Sequence, residues 1–201
     1  MTETTRTLGR PRSEDARLAV LRAVDDMLVE EGYAAMTMKG IAERAKVGRQ
    51  TVYRWWSSKA EILLEASAAD AIRELTVPEE SHSESEIERF LAALSTFLTT
   101  SDAGLAYRAL LGEAQHDRKV AELLRGTDVL GDAARVVIAR ARKRGSLPSA
   151  SNAPSSSASG DPADGELVAE LVGPVVFRIL SEGWVGGPAD FKAMAHRFLR
   201  T

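Results

Sequence analysis

Between Thr37 and Lys59 the chain concentrates side chains suited to one kind of chemistry. Arg49, Gln50, Thr51, Tyr53 and Arg54 lie within two helical turns, and nearly all can donate hydrogen bonds to phosphate oxygens or base edges. Arg can pair bidentately with guanine and Gln with adenine, each pair worth about 1–3 kcal/mol of discrimination. Ile41, Ala42, Ala45, Val47 and Val52 supply apolar positions for a single buried side. To present the donors together, the segment must fold as two short helices around the turn Lys46-Val47-Gly48, with a third helix opening at Ser58. That is the layout of a helix-turn-helix whose second helix enters a DNA major groove.

Other chemistries find no support. The chain has no cysteine and only three histidines, His82, His116 and His196, set far apart. Disulfides, thiolate catalysis and zinc-ligand spacing are therefore not expected, nor any metal or other cofactor. No Ser/His/Asp set, carboxylate pair or phosphate loop is recognisable, so no catalytic residue is assigned and the chain is not expected to be an enzyme. With neither an apolar leader nor a membrane-length apolar run, a cytoplasmic location without membrane contact is expected. The net charge of −3 is unevenly spread. Residues 1–60 hold 11 Lys+Arg against 8 Asp+Glu, and residues 61–201 hold 15 against 21. A positive head on an acidic body is the electrostatic footprint of DNA binding.

The 201 residues, 44% of them hydrophobic, are enough for a sizeable core. Periodicity predicts an all-α fold of about nine helices. Ser13, with Glu14 and Asp15 behind it, opens a first helix through Leu18, Leu21, Val24 and Leu28 that stops at Gly32. Thr37 caps the second, Arg49–Trp56 forms the third, and Ser58 with Glu61 caps a fourth reaching Leu75. After a break at Pro78, Ser83 with Glu86 reads as another capping box ahead of a stripe from Ile87 to Leu98. A short helix from Asp102, a long stretch from Asp117 to Arg144 and two C-terminal helices complete the count, with Gly126 and Gly131 as points where the long stretch can bend. Residues 149–162, rich in Ser and Pro, read as a mobile loop. The expected domains are a basic arm over 1–12, a DNA-binding head over 13–58 and a helical body over 59–201.

Residues 13–65 resemble the DNA-binding domain of the TetR family, the tetracycline-repressor-like bacterial transcription factors. The matching features are Gly32-Tyr33 after the capped first helix, Thr37-Met38, Ile41-Ala42, Ala45 and Val47. They continue through Thr51-Val52-Tyr53-Arg54, Trp56, Ser58-Lys59 and Leu63. The resemblance implies that Arg49, Gln50 and Thr51 face base edges, with Arg54 on the same helix. It implies that Tyr53, Lys39 and Lys59 meet phosphates, Lys59 from the first turn of its helix where burial is not expected. Thr37 can offer its hydroxyl to a phosphate as well. Three residues depart from the family pattern. Lys46 stands where Gly is usual, and a left-handed conformation there costs Lys about 1 kcal/mol. Gly48 replaces a Ser or Thr cap. Trp55 replaces a polar residue and is expected to face outward, either packing on a neighbouring helix or offering its indole N–H to a phosphate. Trp56 matches the family's buried aromatic.

Gly9-Arg10-Pro11-Arg12 is similar to an AT-hook core, in which Arg10 and Arg12 would enter a narrow minor groove from an extended backbone. In the body, Phe90, Leu94, Phe97, Tyr107 and Leu111 could line an effector cavity, with Trp184 at its rim; at helical spacing they also suit plain core. Leu167, Leu171, Val172, Val175 and Ile179 form a stripe wider than one packing partner needs. With Phe191, Met194 and Phe198 they are expected to form a dimer interface. The resulting expectation is a regulator, most simply a repressor. It acts as a homodimer on palindromic double-stranded DNA and is released by a small apolar or amphipathic effector. The alternatives are a regulator whose body binds only a protein partner and an all-α enzyme with a basic head.

Overall fold

The computed structural model describes the backbone of residues 10–148 and 162–200, with side chains from 14 to 148 and 164 to 200. Among these residues all regular structure is helical, in ten helices: α1 (Arg10–Glu31), α2 (Met38–Arg44), α3 (Arg49–Trp55), α4 (Lys59–Leu75), α5 (Ser83–Thr100), α6 (Asp102–Glu113), α7 (Arg118–Gly126), α8 (Val129–Lys143), α9 (Pro162–Glu182) and α10 (Pro188–Phe198). The stretch expected to run unbroken from Asp117 to Arg144 divides at Thr127. Asp117 caps α7, and Asp128 caps α8 by accepting the Gly131 N–H at 3.1 Å. No described helix is long and apolar enough to cross a membrane.

The chain clusters into two units, residues 1–67 and 68–201, so the division falls inside α4 rather than at Ser58. In the first unit α1 begins at Arg10, three residues before the expected cap at Ser13. Pro11 is tolerated there because a first-turn N–H has no helical acceptor to lose. The extended backbone expected for Gly9–Arg12 is thus corrected over Arg10–Arg12, which are helical; Gly9 and the side chains of Arg10 and Arg12 lie outside the described residues. Gly32 ends α1 with φ +76°, as its position after the last apolar residue foretold. Val20, Val24, Met27, Met36, Ile41, Val52, Trp56, Ile62 and Leu63 form this unit's core.

In the second unit α5 is central and packs on α6, α8, α9 and α10. Ile87, Phe90, Leu91, Leu94 and Phe97 are fully buried along it. Gly104 allows α6 to press closely on α5: a Cβ there would sit 1.7 Å from the Phe97 carbonyl oxygen. The expected capping box at Ser83 does not form. His82 is the N-cap, the Ser83 hydroxyl bonds to that of Ser146, and Glu86 points into the protein at 1% exposure. Its carboxylate meets Arg140 at 2.9 Å and Arg144 at 2.8 Å, and accepts the Glu80 N–H. Arg140 also donates to the Val77 carbonyl and Arg144 pairs with Glu79. One buried carboxylate therefore ties the 76–82 connection to α5 and α8. Burial alone would push its carboxyl up, but the hydrogen bonds from Arg140, Glu80 and Arg144 hold it below the ordinary carboxylate range.

The expected dimer residues need correction. Leu171, Val172, Val175, Ile179, Phe191, Met194 and Phe198 are all buried within the protomer, and Leu167 is half-buried. They serve the body's own core because α9 and α10 must cover α5. The outer side of α9 leaves Phe177 67% exposed and Leu180 49% exposed, with Val185 following at 68%. Residues 149–161 of the expected loop lie outside the described residues.

Candidate nucleic-acid interface

The head is assembled by its turns. Thr37 holds an extended backbone and caps α2, its hydroxyl oxygen accepting the Gly40 N–H at 3.0 Å. Lys46 does adopt the left-handed conformation, φ 55°. Around it the Val47 N–H reaches the Ala42 carbonyl and the Lys46 N–H the Glu43 carbonyl, a Schellman closure that reverses the chain into α3. Gly48 serves as the N-cap of α3 without a side-chain bond. At Gly40 a Cβ would come within 3.2 Å of Met27 and of the Thr37 hydroxyl, so α2 lies close on α1 there.

The short helix α3 is cleanly divided. Val52 is fully buried and holds it to the head's core. Arg49, Gln50, Tyr53 and Arg54, spaced i, i+1, i+4, i+5, are all exposed along one side. Thr51 is half-buried, so it stands at the edge of this row rather than in it. Lys39 is exposed on α2. Trp56 is buried, and its indole N–H donates to Glu65 on α4 at 2.9 Å; Arg17 of α1 meets the same carboxylate at 2.6 Å. Trp55 is half-buried rather than outward-facing, stacked edge-on to Trp56 at 5.4 Å with the Arg54 guanidinium 5.6 Å from its ring.

Lys59 is placed differently from the expectation of a solvent-facing amine. Its Nζ donates to the carbonyls of Tyr33 at 2.7 Å and Met36 at 3.1 Å, beneath the Tyr33 ring at 4.1 Å. The loop between α1 and α2 turns two carbonyls toward the start of α4, and an ammonium is the group that satisfies both. The Ser58 hydroxyl accepts the Glu61 N–H, while Glu61 reaches back to the Ser57 N–H and hydroxyl, one residue earlier than a standard box. Sequence reasoning passed over Glu43, which pairs with Arg49 at 2.9 Å; its i,i+4 spacing from Lys39 was the available signal.

In the body, Phe90, Leu94 and Phe97 are fully buried and Leu111 half-buried. Tyr107 lies 6.5 Å from Phe97, and burial together with the nearby Asp128 carboxylate pushes its hydroxyl up to about 12. Trp184 lies beyond the end of α9, with Arg178 over its ring and Phe191 edge-on at 5.8 Å. An open cleft of about 420 Å³ between α5, α9 and α10 is lined by Leu91, Leu171, Pro174, Met194 and Phe198, with Glu170, Arg197 and Arg200 around them. None of the expected effector residues lines this cleft.

A tight turn that delivers an exposed polar row on a helix pinned by one buried valine is the geometry of a helix-turn-helix domain. The known proteins agree. The model for bacterial regulatory proteins of the tetR family matches residues 20–66. The HTH-type transcriptional regulator YdeS of Bacillus subtilis is 40% identical over 114 residues, 57% of each chain. The HTH-type regulator Rv1556 of Mycobacterium tuberculosis is 38% identical over 68 residues, 34% of this chain and 31% of that protein. The chain thus spans about half or less of the length of these curated relatives. The crystal structure of the TetR family transcription regulator SCO0332 superposes with a TM-score of 0.71 at 25% identity, covering 92% of this chain and 97% of that one. GusR of Salmonella enterica shares the fold at a TM-score of 0.67 and 16% identity, with 96% and 99% covered. Residues 20–66 thus match the DNA-binding domain of the tetR-family bacterial regulatory proteins, and the described helices share the fold of solved TetR-family structures.

Proposed function

We propose that this protein is a sequence-specific DNA-binding transcriptional regulator that acts as a homodimer on a palindromic operator. The observation that carries the reading is the exposed row Arg49, Gln50, Tyr53 and Arg54 on a helix whose opposite side is anchored by Val52. Arg49 and Gln50 read base edges; Tyr53, Arg54 and Lys39 meet the phosphate backbone. Thr37 keeps its O–H as a donor while its oxygen caps α2. Trp55 frames the end of the row through its contact with Arg54. One short helix has too little surface to bind tightly alone, and a two-fold dimer presents two, about 34–36 Å apart on the duplex. Phe177, Leu180 and Val185 are the exposed apolar residues suited to the dimer surface. Selection of bound duplexes from a random pool tests the reading. A palindromic consensus is expected, and recovery of no preferred sequence would refute it.

The regulator acts as a repressor released by a small apolar or amphipathic effector. Helix α4 crosses the division between the units, with Ile62 and Leu63 buried before it and Ala71 and Leu75 buried after it. On this reading an effector in the body shifts α4, and DNA and effector oppose each other reciprocally. A second reading, a body that takes only a protein partner, is favoured by the full burial of Phe90, Leu94 and Phe97. Thermal-shift screening of apolar and amphipathic compounds separates the two. A compound that raises Tm and weakens operator binding supports effector release.

A further inference from the structure

On the head, the acidic Glu43 touches the expected base-reading row. It sits on α2, one turn after Lys39, and its carboxylate accepts a hydrogen bond from Nη2 of Arg49 at 2.9 Å. The Lys39 ammonium lies 4.0 Å from the same oxygen. All three side chains are exposed, at 59% for Glu43, 55% for Arg49 and 63% for Lys39. An exposed pair of this kind adds little to stability. A carboxylate beside the row also repels duplex phosphates and weakens binding to any DNA. Its geometry shows what it provides in return. The pair bridges the left-handed turn at Lys46, tying the last turn of α2 to the first residue of α3. A guanidinium carries five N–H donors in a rigid fork. Glu43 occupies only the Nη2 side, so the remaining donors can take the two acceptors of a guanine edge while the carboxylate bond persists. An arginine already held in one rotamer loses less freedom on meeting its base.

We propose that Glu43 is a positioning residue for base readout: it orients Arg49 toward one base pair and gives up general affinity for the duplex in exchange for discrimination. The proposal rests on the DNA-binding reading above and names the residue that sharpens it. The experiment uses the full chain and a duplex selected by it. Affinities of wild type, Glu43→Gln, Arg49→Ala and the double variant are measured for the selected duplex, for single-base-pair changes across it, and for an unrelated duplex. Glu43→Gln is expected to bind the unrelated duplex roughly two- to fivefold more tightly. Its preference at the base pair that depends on Arg49 is expected to fall by about fivefold. In the Arg49→Ala background the same change leaves that preference unaltered. Lys39→Ala, by contrast, weakens all duplexes alike. An undiminished preference in Glu43→Gln, an equal loss without Arg49, or no base pair that depends on Arg49 would each overturn the proposal while leaving DNA binding intact. A pool that yields no consensus overturns the DNA-binding reading itself, and this proposal with it. Glu43→Ala, which removes the acceptor altogether, must reproduce the Glu43→Gln pattern.

Discussion

At the scale of single residues, Lys46 and Lys59 show how local chemistry and surroundings divide the work. Lys46 occupies a position where α2 must reverse, and its φ of 55° is the conformation that turn chemistry demands. Replacing it with Gly is expected to stabilise the head by about 1 kcal/mol in urea denaturation, because Gly enters the left-handed region without a Cβ penalty. A decrease in stability would mean that the lysine side chain contributes more than its backbone strain takes away. Lys59 is a positioning residue in the head. Lys59→Met keeps the stem but loses two charge-assisted bonds to Tyr33 and Met36. A loss of about 2 kcal/mol in thermal unfolding is expected; unfolding unchanged, with DNA binding weakened, would return Lys59 to a phosphate role. The sequence showed the donor row from Arg49 to Arg54 because residue type and helical spacing suffice for it. The destination of the Lys59 amine was hidden, since its acceptors are backbone carbonyls 26 and 23 residues away.

At the scale of elements, several helix boundaries followed their local sequence signals. Gly32, Thr37, Asp117 and the Gly186-Gly187-Pro188 turn all mark helix boundaries as their chemistry requires. Ser83 and Glu86 did not, because the capping-box spacing says nothing of Arg140 and Arg144, more than fifty residues on. Those arginines draw Glu86 inward and convert a surface cap into a buried ionic hub. Glu86→Gln is expected to cost about 3 kcal/mol, since it leaves two guanidiniums facing a neutral amide. The folded-state pKa of Glu86 lies below its unfolded value. The stability it contributes is therefore complete above about pH 4.3 and is lost as pH falls through the lower folded value. Acid titration of the unfolding free energy checks this: wild type should lose more stability below about pH 4 than Glu86→Gln does.

At the scale of the whole molecule, the wide apolar stripe of α9 was the ambiguous element. Its periodicity announced two packing partners without saying which half each would take. The inner half, Leu171, Val175 and Ile179, covers α5 and α8, so Val175→Asp is expected to unfold the body, detected as lost helicity. Phe177→Asp with Leu180→Asp should instead leave the fold intact and give monomers by sedimentation. Operator affinity should then drop by roughly 10²-fold as the second recognition helix is lost. A surviving dimer would move the interface off this side of α9.

By itself the sequence determined the all-α class, the turn-helix unit from Thr37 to Trp56 and the row of donors it presents. These depend on helical periodicity, caps and turn conformations, which act over a few residues. Tertiary structure alone decided that Lys59 serves the backbone, that Glu86 is buried, that Glu43 holds Arg49, and which side of α9 remains outside. Each of those outcomes depends on which groups the packed core brings within hydrogen-bonding distance or removes from water. The choice of distant partner is a property of the assembled chain, and no local pattern of residue types encodes it.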